Sequence, residues 1–122
     1  MGKTQTIYHQ GLKIFQLDLS NLKTPEEIGV VLKESKSFIQ TQPKASVFSL
    51  VNVNGMHFNN KVKEMLIDVV KSNKPYVKAS AVVGVNGLLQ VMFNGFLTLT
   101  GREVKTFSTV DEAKNWLYSK RN

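Results

Sequence analysis

Ala45-Ser46-Val47-Phe48-Ser49-Leu50-Val51-Asn52-Val53 and Tyr76-Val77-Lys78-Ala79-Ser80-Ala81-Val82-Val83-Gly84-Val85 are the stretches whose reading decides the fold. The first is rich in β-branched residues and apolar on both faces, the mark of a strand in the middle of a parallel sheet. In the second, Val77, Ala79, Ala81, Val83 and Val85 alternate with a period of two. Val51 and Val83 are therefore expected to be fully buried on adjacent parallel strands. Each strand is followed by polar punctuation that opens a helix, Asn59-Asn60 in one case and Gly84-Val85-Asn86-Gly87 in the other. Helix N-termini at the carboxyl edge of such a sheet form a binding rim, because their free backbone N–H groups face outward. The expected ligand or anion contacts on that rim are His57, Asn59, Asn60, Lys61, Gly84, Asn86 and Gly87, and Ser49 and Ser80 are expected to be exposed beside them.

Working outward, Gln5–His9 and Leu12–Asp18 read as a hairpin split by Gln10-Gly11. Thr24-Pro25-Glu26-Glu27 supplies an N-cap threonine, a proline at the first helical position and a glutamate that completes a capping box. Ile28, Val31, Leu32, Ser35 and Ile39 then keep helical spacing, as do Val62, Met65, Leu66, Val69 and Val70 in a second helix expected to end before Asn73-Lys74-Pro75. A third helix is expected from about Gly87 to Leu99, a short strand at Lys105–Phe107, and a last helix opened by the capping box Thr109-Val110-Asp111-Glu112. The order is β-β-α-β-α-β-α-β-α, an α/β chain with four helices over a largely parallel mixed sheet that carries an antiparallel edge strand.

Residues 1–122 read as one domain, and a 42% apolar share with 20% charged residues is that of an ordinary globule. The chain has no cysteine, which excludes thiolate metal sites and cysteine nucleophiles and fits a cytoplasmic location. No apolar run reaches the length of a membrane span. The net charge of +7 raises the case for phosphate-bearing partners. Its sixteen basic residues are scattered, however, and only Arg102 and Arg121 are arginines, so nucleic acid is not the expected partner.

The chemistry-bearing residues do not form a catalytic signature. His9 and His57 lack metal-ligand spacing, and Asp18 is a lone carboxylate at a strand end. Gly84-Val85-Asn86-Gly87 lacks the Gly-Lys-Ser/Thr of a phosphate loop. Neither an enzyme nor a cofactor is expected. The stretch Leu88–Leu99 is apolar beyond the stripe a surface helix needs, so Leu88, Val91, Met92 and Leu99 are the expected interface residues of a homodimer or other protein contact.

The element order resembles the STAS domain, the fold of the SpoIIAA-like anti-sigma-factor antagonists. The segments Asn73–Ala79, Val82–Gly87 and Gly101-Arg102 are similar to those of small stand-alone bacterial STAS-like proteins, related in fold to Sec14-type lipid-binding domains. Phospho-regulated members carry an acceptor serine or threonine just before the second helix. Here that segment reads His57-Phe58-Asn59-Asn60-Lys61, with no hydroxyl, so the phosphorylation switch does not carry over. The resemblance implies a non-enzymatic regulatory module acting through protein contact. Its alternatives are a small-molecule binder of Sec14 type holding a lipid or nucleotide and, more weakly, a basic nucleic-acid-binding protein.

Overall fold

A two-residue loop starts the sheet. Gln10 and Gly11 both take positive φ, 52° and 86°, the pair that a tight hairpin turn matching the strand twist requires. It joins β1 (Lys3–His9) to β2 (Leu12–Asp18), which pair antiparallel from His9 opposite Leu12 to Lys3 opposite Asp18. The computed structural model describes residues 3–85 and 104–121. β3 (Val47–Asn52), β4 (Val77–Val83) and β5 (Val104–Phe107) follow, each parallel to its neighbour, in the spatial order β1-β2-β3-β4-β5.

The described residues contain three helices, α1 (Pro25–Ile39), α2 (Asn60–Asn73) and α3 (Val110–Ser119). The helix expected over 87–99 lies outside the described residues. Both capping boxes form: the Thr24 hydroxyl accepts from the Glu27 N–H, and the Thr109 hydroxyl from the Glu112 N–H. α2 runs through Asn73, one residue past its expected end. Pro75 sits beyond the cap, so its missing N–H costs the helix nothing.

The helices divide the sheet into two unlike faces. α1 and α2 cover one, closing a core that includes Leu17, Leu19, Ile28, Leu32, Val53, Val62 and Leu66. On the other, Ala113 and Leu117 of α3 pack on Ile14, Phe48, Leu50, Ala79, Ala81 and Val83. The alternation read from β4 breaks at one place. The register between β3 and β4 shifts at Val47/Phe48, so Lys78 is an extra residue, and Val77 turns to Phe15, Ile39 and Val47 rather than to the alanines of its own strand.

Two burial expectations change. Val83 is buried, whereas Val51 is only half-buried on the α1–α2 side. Ser49 and Ser80, expected at the exposed rim, are 5% and 3% exposed. They stand opposite each other in mid-strand register, which places them under the helices and away from the sheet edge.

Candidate functional site

The rim residues serve different neighbours. Asn59 has extended backbone, and its Oδ1 accepts the Val62 N–H at 2.9 Å, so this side chain is committed to capping α2. Asn60 is the first helical residue and is exposed. His57 is exposed too, with its backbone N–H donated to the Leu22 carbonyl at 2.9 Å. Lys61 lines a groove of about 480 Å³ between α1 and α2, with Lys33, Lys36, Glu64 and Asp68 on its banks and Gly29, Leu32, Met65 and Val69 as its floor.

Gly84 lines a separate depression of about 350 Å³ beyond the carboxyl ends of β3, β4 and β5, beside Asn52, Asn54, Phe107 and Ser108. Its φ of +95° and a backbone approach that would leave a Cβ only 2.6 Å from the Asn54 nitrogen both require glycine. The structure thus places Gly84 and Lys61 in different depressions, and His57, Asn59 and Asn60 line neither. Asn86, Gly87, Leu88, Val91, Met92 and Leu99 lie outside the described residues. Sequence reading passed over Asn52, Asn54 and Ser108, although each follows or ends a parallel strand, where such sites gather. Asn52 Oδ1 accepts the Asn54 N–H at 3.0 Å, which shapes that turn.

The carboxylates are held by structure. Asp18 Oδ1 accepts both the backbone N–H and the hydroxyl of Ser20. Glu27 titrates below the usual carboxylate range, first because its carboxylate accepts the Lys23 N–H and then the Thr24 N–H. It is an exposed cap and faces no cleft. Among the described residues no group of three or more His, Asp or Glu gathers as a metal cage would need.

Basic residues lie over aromatic rings, some far apart in sequence, as Lys13 over Phe38 at 5.9 Å and Lys78 over Phe48 at 5.8 Å, and others close by. Lys105 lies 5.7 Å from the Phe107 ring centre, Lys120 5.6 Å from that of Trp116, and Arg121 3.8 Å from that of Tyr118.

A chamber of about 70 Å³ lies between the β3–β4 face and helices α1 and α2. Phe15, Leu17, Val51, Val82, Leu32 and Leu66 give it an apolar wall. Ser35, Ser49, Asn73 and Ser80 also line it, and these are the buried polar residues of the described chain. The two serine hydroxyls hydrogen-bond to each other at 2.6 Å. Asn73 is 3% exposed, and its Oδ1 has no partner.

No family model matches the chain, and no curated protein matches it in sequence. Solved structures do match in shape. An uncharacterised protein of the DUF3478 family with a SpoIIAA-like fold, from Shewanella loihica PV-4, superposes with a TM-score of 0.74 at 13% identity, over 96% of this chain and 95% of that one. An anti-sigma-factor antagonist (STAS) domain protein from Planctomyces limnophilus gives 0.65 at 15% identity, over 95% and 98%. The mixed sheet with its antiparallel β1–β2 edge, the parallel remainder and near-complete coverage of both solved structures give this chain the SpoIIAA-like fold found in STAS domains.

Proposed function

We propose that this chain is a single STAS-like module, non-enzymatic and cytoplasmic, that works by contact with a protein partner. The α1–α2 groove carries this reading. Its floor of Leu32, Met65 and Val69 between charged banks has the make-up of a protein interface, apolar at the centre and polar at the rim. The Lys36–Asp68 ion pair, 3.7 Å apart, bridges the two helices and is exposed enough to yield to a partner's charges. The Planctomyces relative is named an anti-sigma-factor antagonist, which supports a regulatory contact as the general type. No described helix is long and apolar enough to cross a membrane. In this reading the surplus apolar residues Leu88, Val91, Met92 and Leu99 supply the seam of a homodimer.

The test is complex formation measured by sedimentation and by cross-linking in an extract of the source cells. Met65→Glu should abolish a heterologous complex, and Val91→Glu or Leu99→Glu should convert a dimer to a folded monomer, with circular dichroism unchanged in each case. A parent protein that stays monomeric at high concentration and cross-links to nothing would contradict the reading.

The enclosed chamber favours a second reading, a small-molecule binder. An apolar wall with a few convergent polar groups is the usual make-up of a ligand pocket.

A further inference from the structure

We infer that the chamber between the β3–β4 face and helices α1 and α2 binds a neutral, apolar small molecule, or the tip of a longer one, that presents a hydroxyl or similar hydrogen-bond donor. This rests on the small-molecule reading and names the ligand class.

The polar groups carry the inference. Ser35, Ser49, Asn73 and Ser80 come from four different elements, α1, β3, α2 and β4, yet all converge on one chamber. A core needing only stability would fill these positions with apolar side chains, because a buried polar atom without a partner is costly. Asn73 Oδ1 is such an atom, an acceptor awaiting a donor. The Ser49–Ser80 pair holds two hydroxyl protons and uses one in its mutual bond, which leaves a donor over. A ligand hydroxyl, itself both donor and acceptor, matches both kinds of unused capacity.

Charge and size narrow the class. No described lining residue is ionisable, so a charged ligand would lose its hydration there without compensation. At about 70 Å³ the chamber far exceeds the roughly 10–15 Å³ that one water needs, and it is about half the ~150 Å³ that admits benzene. It therefore encloses about three heavy atoms, the hydroxyl-bearing end of a longer molecule.

The experiment titrates the full chain, labelled with ¹⁵N, with 1-butanol, with its isomer methyl propyl ether, and with butyrate, following amide shifts. The isomers bury similar apolar area, and only the alcohol can donate. 1-Butanol should bind about tenfold more tightly than the ether, a difference of about 1.4 kcal/mol. Shifts should centre on Ser49, Asn73 and Ser80 and spare Leu50 and Ala113 on the opposite face. Asn73→Leu should bring alcohol and ether within about twofold of each other. Ser49→Ala serves as a second variant, and the parent's own ratio stands whether or not either variant folds. Equal binding of alcohol and ether in the chamber would overturn the donor requirement while leaving a small-molecule site. Preference for butyrate would overturn neutrality. Binding of none of the three would remove the ligand class and the small-molecule reading together.

Discussion

The two faces of the sheet are built from the same strands and filled in opposite ways. Toward α3, Leu50, Ala79, Ala81, Ala113 and Leu117 are completely buried, and the alanines of β4 let the helix approach the strand closely. Toward α1 and α2, the alternate residues of the same strands are Ser49, Val51, Ser80 and Val82, and the helices above them leave the chamber. A period of two lets one strand serve both ends at once, dense packing on one side and a polar-lined space on the other. The α3 face is packed throughout, while the α1–α2 face, fully packed at Leu19, Ile28, Val53 and Val62, keeps its space around the two serines.

The sharpest way to break this contrast is to cut into each face equally. Leu117→Ala should cost about 3 kcal/mol in urea unfolding, since a close-packed site cannot collapse around the missing atoms. Leu66→Ala, the same change in a helix that borders space already present, should cost only about 2 kcal/mol, because fewer contacts are lost there. Similar costs at the two sites would mean that the faces are packed alike.

Next in size is the serine pair. Ser49→Ala or Ser80→Ala alone leaves a buried hydroxyl without its partner and should cost about 1–2 kcal/mol. The double variant should cost clearly less than the sum of the singles, with a coupling of about 1 kcal/mol. Strict additivity would show that the two hydroxyls do not depend on each other.

The smallest effect concerns how α1 is anchored over the chamber. Hydrogen bonds from the Lys23 and Thr24 N–H groups lower the Glu27 pKa in the folded chain. Its contribution is therefore present above the ordinary glutamate range and is lost as pH falls through the lowered value. Glu27→Gln should flatten that part of the acid unfolding profile, and an unchanged profile would assign the acid sensitivity to other carboxylates.

Much of this architecture was legible in the residues because its signals are local. Thr24-Pro25-Glu26-Glu27 and Thr109-Val110-Asp111-Glu112 each hold a complete capping box within four positions, and Gln10-Gly11 holds a complete turn. What escaped depended on registers between strands. The slip at Val47/Phe48 turns Val77 away from Ala79, and no pattern within β4 alone announces it. Ser49 and Ser80 are thirty-one residues apart, and their pairing arises only when β3 and β4 align with those two positions opposed. Sequence spacing also joined Lys61 to the rim, whereas the first turn of α2 carries it toward α1. The polar chamber, the feature with most to say about ligands, was for that reason the least readable.

Crystals of the protein pressurised with xenon test the contrast between the faces most directly. Xenon enters apolar space without needing a hydrogen bond, so it reports room rather than chemistry. The account predicts xenon in the chamber among Val51, Val82, Leu66 and Asn73, and none between the sheet and α3. Xenon among Leu50, Ala81 and Leu117, or in neither place, would contradict it.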